Sequence, residues 1–188
     1  MGKERIGFVG LGLMGHGMAK NIVGKGFPLT IVAHRNRTPV ESLVAKGATE
    51  AKTARAVAEA SDIVVICVTG SPEVEAVING PDGLAAAGKP LMIIDSSTSD
   101  PSSTIRLAAE LKEKGITLID APLSRTPKDA EEGTLDVMVG GADADVARAR
   151  PVIDCFAGPS FQDGNGSDSA CATSEKQQAT AMAAARRP

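Results

Sequence analysis

The chain has 188 residues, of which 43 % are hydrophobic and 23 % are charged, and its formal net charge is −3. This length suits one globular domain with an appendage rather than two full domains, and the slight negative charge excludes nucleic-acid binding driven by bulk charge. No apolar run approaches the roughly 18 residues that span a bilayer, so the sequence predicts no membrane partner.

Missing residue types exclude further classes. The chain has no Tyr and no Trp, which excludes any mechanism that needs a catalytic tyrosine. Two histidines and three scattered cysteines leave no basis for a multi-histidine or Cys-x-x-Cys metal site. An odd number of cysteines without a disulfide pattern, and an N-terminal apolar run too short for a signal peptide, predict a cytoplasmic protein.

Strands and helices alternate along the predicted structure. Strands are predicted over residues 5–10, 29–33, 62–68, 91–94 and 116–119, with a possible edge strand over 135–139. Helices are predicted over residues 13–25, 39–46, 53–60, 100–114 and 143–156, and another begins at Ser71. This alternation predicts an α/β fold of the Rossmann type, a doubly wound and mostly parallel sheet with helices on both faces.

The composition changes near residue 157. Residues 158–188 are rich in Ala, Ser, Gln, Gly and Asp and contain few large apolar side chains. Such a segment buries too little surface to offset its chain entropy. We therefore predict a dinucleotide-binding domain over residues 1–157 and an irregular low-complexity tail over residues 158–188.

A glycine-rich loop follows the first predicted strand. Gly10-Leu11-Gly12-Leu13-Met14-Gly15 matches G-x-G-x-x-G and lies between a strand and a helix, as the dinucleotide fingerprint requires. The first glycine permits the tight turn, the second lets a pyrophosphate approach, and the third lets the helix pack close to the strand. The helix N-terminus then offers free N–H groups to the phosphates.

The residues after the second predicted strand indicate which cofactor binds. An NAD enzyme usually has Asp or Glu here, which bonds the ribose 2′-OH. Residues 33–38 contain no acid but include Arg35 and Arg37. A guanidinium suits a 2′-phosphate, so the sequence favours NADP over NAD, with a solvated basic turn as the alternative.

Four stretches resemble the N-terminal half of the β-hydroxyacid dehydrogenases. This family includes 3-hydroxyisobutyrate dehydrogenase, 2-hydroxy-3-oxopropionate reductase and, more distantly, 6-phosphogluconate dehydrogenase. The stretches are IGFVGLGLMG at residues 6–15, SPEVEAV at 71–77, DSSTSDP at 95–101 and DAPLSRTPKDAEEGTLDVMVGG at 120–141.

The resemblance implies a set of site residues and a reaction. The glycine loop would hold the pyrophosphate, His34, Arg35 and Asn36 would read the adenosine ribose, and Ser124 would bind substrate. Val68 and Thr69 would border the cofactor ribose, and Thr98 would approach the nicotinamide. Family members transfer hydride between a nicotinamide cofactor and a small 3-hydroxy acid, with a lysine as the acid/base. Full-length members form homo-oligomers.

The chain departs from the family in two places. The substrate turn usually reads Ser-Gly-Gly, whereas this chain has Ser124-Arg125-Thr126. Arg125 either contacts a substrate carboxylate or faces outward. The family's long helical domain, with its catalytic lysine, has no counterpart in residues 158–188, and Lys176 lacks the asparagines that follow that lysine. We therefore expect a truncated chain, or one with a shifted reading frame, that has little activity alone. The alternative is a non-catalytic NADP-binding module or subunit partner.

Other polar residues have simpler interpretations. Asp95 and Asp120 each end a strand, and we expect them to cap turns rather than act as a carboxylate pair. His16 is expected to be an exposed helix residue rather than a phosphate contact, and Glu131 is expected to face solvent.

Overall fold

Six parallel strands form the main sheet of the computed structural model, which describes residues 2–158 and 162–163. The strand order is β3-β2-β1-β4-β5-β6. The strands are β1 (Ile6–Val9), β2 (Leu29–Val32), β3 (Thr49–Ala51), β4 (Ile63–Ile66), β5 (Leu91–Asp95) and β6 (Ile116–Asp120). Every residue of β1, β4 and β5 is buried, as continuous apolar runs in a parallel sheet require.

Helices cover both faces of this sheet. They are α1 (Leu13–Gly24), α2 (Thr38–Val44), α3 (Ala54–Ala60), α4 (Ser71–Asn79), α5 (Pro101–Glu113), α6 (Pro127–Glu132) and α7 (Asp143–Ile153), with a 3₁₀ turn at Leu84–Ala87. One core cluster takes Met18 from α1 and Leu43 from α2, and the other takes Val57 from α3 and Leu107 from α5. The predicted doubly wound α/β fold is confirmed.

A second, three-stranded sheet follows the first. It contains β7 (Leu123–Ser124), β8 (Asp136–Val139) and β9 (Gln162–Asp163), in the order β7-β8-β9. The strand predicted over residues 135–139 corresponds to β8. The domain boundary at residue 157 stays a prediction, because only residues 158, 162 and 163 of the predicted tail are described. Most of the predicted tail, including Lys176, lies outside the described residues.

Two of the short elements, β3 and α6, were not predicted from the sequence. β3 has two exposed residues and one half-buried residue, so it carries no apolar pattern. α6 buries only Ala130. The start of α6 did have a local signal in the sequence, because Thr126 and Asp129 form a capping box. Each of these side chains accepts a hydrogen bond from the other residue's backbone N–H.

No helix within the described part of the chain combines the length and the hydrophobicity needed to cross a membrane.

Candidate functional site

Two glycines of the loop between β1 and α1 are required by the fold. Gly10 has φ of +101°, and a Cβ there would lie 2.1 Å from the carbonyl oxygen of Cys67. A Cβ on Gly15 would lie 1.9 Å from the carbonyl oxygen of Gly10. Any side chain at either position would therefore collide with backbone, as the fingerprint predicts for the turn and for close packing of helix on strand.

Gly12, unlike Gly10 and Gly15, has open space beside it. It has φ of −77° and ψ of −160°, which any residue adopts, and a Cβ there would have no heavy atom within 4 Å. The fold does not require glycine at this position. The space that a side chain would fill lies directly before the first turn of α1, which contains no acidic residue. A phosphate fits this position, because the helix N-terminus favours an anion there.

The other loop side chains divide between the core and the solvent. Leu11 and Met14 are half-buried and pack against the core cluster that contains α1. Leu13 is 82 % exposed and begins α1 beside Gly12.

The basic turn after β2 contains one paired arginine and one that has no partner among the described residues. Arg37 donates from both terminal nitrogens to Glu50 of β3, at 3.0 Å each. Arg35 is exposed and has no ion pair or hydrogen bond with any described residue. His34 and Asn36 are also exposed, and Asn36 accepts a hydrogen bond from Thr38 N–H at 3.1 Å. Because β2 lies next to β1, this turn is at the same sheet edge as the glycine loop.

Two further turns lie at the same carboxyl edge of the sheet, on the opposite side of β1 from β2. Val68 and Thr69 follow β4, which pairs with β1, and Thr98 follows β5, which pairs with β4. The N–H of Val68 donates to Ser97 Oγ at 3.0 Å, which joins the two turns, while Thr69 and Thr98 are exposed. The chain runs outward from β1 to β2 and β3, and then crosses back to β4 on the other side of β1. The crevice at such a reversal of strand order is where open α/β sheets bind ligands.

The aspartates that end β5 and β6 are neighbours. Asp95 caps a turn as predicted, since its Oδ1 accepts from Ser97 N–H at 2.9 Å. Asp95 and Asp120 are also direct partners in the strand register. Burial, and secondly the negative charge of Asp95, raise the pKa of Asp120 to about 7. The expectation that Asp120 also caps a turn is wrong, because its carboxyl group has no hydrogen bond with a described residue.

The predicted substrate turn offers one free hydroxyl. The Ser124 side chain is exposed, and its hydroxyl makes no hydrogen bond to a described residue, although its backbone pairs with Asp136 in the β7–β8 ladder. Arg125, at φ of +90°, instead pairs with Asp136 at 2.8 Å and lies 3.9 Å from Asp129. The Thr126 hydroxyl takes part in the α6 cap. Ser124 therefore follows the carboxyl end of β6 in β7, while Arg125 and Thr126 are engaged within the turn.

A close contact between α1 and α6 joins the glycine loop to this turn. A Cβ on Gly17 would lie 2.6 Å from both the carbonyl carbon of Ala130 and the nitrogen of Glu131. His16 Nδ1 lies 2.7 Å from Glu131 Oε1, and Lys20 pairs with the same carboxylate. The expectation that His16 and Glu131 face solvent is therefore wrong: they link the two helices.

Comparisons with known proteins agree with this geometry. Residues 5–172 match the family model described as the NAD binding domain of 6-phosphogluconate dehydrogenase. The chain is 41 % identical over 151 residues to 2-(hydroxymethyl)glutarate dehydrogenase of Eubacterium barkeri, covering 79 % of this chain and 50 % of that protein. It is 38 % identical over 170 residues to 2-hydroxy-3-oxopropionate reductase of Escherichia coli K12, covering 89 % and 57 %. The chain thus spans about half the length of these curated relatives.

A solved structure has the same fold. The crystal structure of 3-hydroxyisobutyrate dehydrogenase from Salmonella typhimurium matches with a TM-score of 0.82 and 30 % identity, covering 95 % of this chain and 62 % of that one. These relatives are dehydrogenases and reductases, which confirms the resemblance that the sequence motifs carried. The chain therefore belongs to the family of the NAD-binding domain of 6-phosphogluconate dehydrogenase.

Proposed function

We propose that the chain binds NADP at the carboxyl edge of the main sheet. The observation that carries this proposal is the open space at Gly12, before the N-terminus of α1. Backbone groups of residues 10–15 would hold the pyrophosphate. The remaining contacts would come from His34, Arg35, Asn36, Val68, Thr69 and Thr98, which lie in the turns after β2, β4 and β5.

Arg35 supports NADP rather than NAD as the preferred cofactor. Its guanidinium is exposed and unpaired among the described residues, so it is available to a 2′-phosphate. Arg37 is the second arginine of this turn, and its pairing with Glu50 leaves it a supporting role. NAD, which lacks that phosphate, would bind without this contact.

Arg35→Ala is expected to weaken NADPH binding by about tenfold or more, because a charge-assisted hydrogen bond is lost. NADH affinity should change by less than about twofold, since NADH has no group for Arg35 to contact. Calorimetric titration with NADPH and with NADH measures the ratio of the two affinities in each protein. Arg37→Ala is the matched control, and it should affect the two cofactors equally. An equal loss for both cofactors in Arg35→Ala would contradict the assignment.

The relatives support hydride transfer to or from a small 3-hydroxy acid or semialdehyde as the reaction. A bound nicotinamide cofactor would supply the hydride chemistry, while the protein orients it. Ser124 is the residue proposed to contact the carboxylate-bearing substrate, because its hydroxyl is exposed at the carboxyl edge and unpaired among the described residues. Arg125 and Thr126 would shape the turn around it.

Turnover by these 188 residues alone is expected to be very low. No lysine among the described residues hydrogen-bonds to Thr98 or Ser124, and general acid–base catalysis is worth roughly 10²–10⁴-fold. The measurement is NADPH oxidation with a small semialdehyde acid. A clear NADPH-dependent rate from the purified chain would contradict this prediction. Binding without turnover is the expected result, and it fits both a truncated dehydrogenase and the alternative, a non-catalytic NADP-binding module or subunit partner.

The location and the assembly state also belong to the proposal. Cys67 and Cys155 are both free thiols, which supports a reducing compartment such as the cytoplasm. Full-length family members are expected to form homo-oligomers, and assembly of this chain would be measured by size-exclusion chromatography with light scattering.

A further inference from the structure

Two carboxylic acids lie side by side at the carboxyl edge of the main sheet. Asp95 is the last residue of β5, Asp120 is the last residue of β6, and the two are direct partners in the parallel register. Residues in register on neighbouring strands point to the same face of a sheet. Both side chains therefore emerge on one face, between the turn that carries Thr98 and the turn that carries Ser124.

Asp95 organises the turns of the proposed cofactor site. Its side chain is buried, with 1 % exposure. Oδ1 accepts a hydrogen bond from Ser97 N–H and Oδ2 accepts one from Ser99 Oγ, each at 2.9 Å. Ser97 Oγ in turn accepts from Val68 N–H at 3.0 Å. One carboxylate thus shapes the turn with Thr98 and, through Ser97, holds the turn after β4.

Asp120 makes no such contacts. Its carboxyl group has no hydrogen bond with a described residue, although its backbone exchanges hydrogen bonds with Gly140 at 2.8 and 3.1 Å. The neighbouring N–H of Ala121 donates to the Asp95 carbonyl oxygen at 2.7 Å. The register and these hydrogen bonds fix the backbone of the pair, so the two carboxyl groups extend from neighbouring strand ends.

The charge state of Asp120 is set by this environment. Burial and the charge of Asp95 raise the pKa of Asp120 to about 7. Cys67, which follows β4, also interacts with Asp95: burial, followed by the charge of Asp95, raises the pKa of its thiol to about 11. Cys67 is therefore neutral near pH 7, so a proton on Asp120 is what limits the negative charge beside Asp95.

We propose that Asp95 is a positioning residue for the cofactor turns, and that a proton held by Asp120 lets the buried Asp95 carboxylate keep that role. The inference rests on the cofactor site proposed above. It adds a residue pair that acts through the turns and does not itself touch the cofactor. Ionisation of Asp120 would place a second negative charge beside Asp95 and disturb the turns that carry Val68 and Thr98.

The test is a titration of NADPH into the full chain between about pH 5.5 and pH 8.5. The wild-type chain is expected to lose affinity as the pH rises through about 7, several-fold more than Asp120→Asn does. Comparison of the two proteins at each pH cancels the cofactor's own ionisation. Ser97→Ala should weaken binding a few-fold but retain the pH dependence, because it breaks only the link to Val68.

A second measurement follows the same proton without cofactor. A group whose pKa is higher in the folded state stabilises the fold fully below its unfolded pKa, and this stability is lost as the pH rises to the folded pKa. Asp120→Asn should therefore gain melting temperature relative to the wild type as the pH rises from about 5 to about 8. Asp62→Asn is the control, because pairing with Arg5 lowers the pKa of Asp62 to about 2. The difference in melting temperature between Asp62→Asn and the wild type should therefore stay constant from about pH 5 to about pH 8.

The outcomes separate the two proposals. Matching pH profiles for NADPH binding by the wild type and Asp120→Asn, or a melting difference that does not change with pH, would overturn the Asp95–Asp120 inference alone. Absence of NADPH binding by all the folded proteins would overturn the cofactor site, and with it the positioning role of Asp95.

Discussion

Gly12→Ala is expected to weaken NADPH binding by at least about tenfold without lowering the melting temperature. The Cβ would enter open space, and the backbone of Gly12 already has an extended conformation. The substitution therefore costs the free protein nothing. It would occupy the position in which the pyrophosphate approaches the first turn of α1. Gly12→Val should weaken binding further, because its side chain fills more of the same space.

Gly10→Ala is the contrasting variant for this experiment. Its Cβ would collide with the Cys67 carbonyl oxygen at 2.1 Å, and its φ of +101° is unfavourable for alanine. We expect this variant to lose stability as well as binding. Calorimetry and thermal unfolding on both variants separate the two effects. Unchanged NADPH affinity in a folded Gly12→Val protein would show that the cofactor does not bind over this glycine.

Gly17→Ala is expected to destabilise the fold by roughly 2 kcal/mol. Alanine would gain up to about 1 kcal/mol in helix propensity, but its Cβ would lie 2.6 Å from backbone atoms of Ala130 and Glu131. Because those atoms belong to backbone, α6 must move away from α1. The movement would stretch the hydrogen bond from Asn21 to the Ala130 carbonyl, now 2.8 Å, and the contacts of Glu131 with His16 and Lys20.

Gly24→Ala is the matched control for the α1–α6 contact. Gly24 ends the same helix, and a Cβ there would meet no heavy atom within 4 Å. This variant should be unchanged or more stable, by up to about 1 kcal/mol. Urea unfolding of both variants measures the difference. A Gly17→Ala protein as stable as Gly24→Ala would contradict the close packing of the two helices.

The parts of the site that sequence could predict are those that local spacing determines. The glycine loop is one example, because a buried strand, three spaced glycines and an amphipathic helix occupy consecutive residues. The structure confirms the positions of β1 and α1, and it shows that the fold requires glycine at Gly10 and Gly15 but not at Gly12. The alternation of the longer strands and helices was predictable for the same reason, since each buries a continuous apolar face.

Other features depended on contacts between distant segments. The resemblance favoured Arg35, but the pairing of Arg37 had no signal in the sequence, because its partner Glu50 lies in a short edge strand with no apolar pattern. Similarly, Asp95 and Asp120 become neighbours only through the register of β5 and β6. The link between His16 and Glu131 depends on the position of α6, whose capping box was the one local signal that could have predicted it.

Calorimetric titration of the purified wild-type chain with NADPH tests the cofactor site most directly, with NADH as the comparison. We predict saturable binding of one NADPH per chain, and weaker binding of NADH because it lacks the phosphate assigned to Arg35. Equal binding of the two cofactors would retain the glycine-loop site and contradict the role of Arg35. No binding of either cofactor, by a chain that unfolds cooperatively, would contradict the proposal that this sheet edge is a dinucleotide site.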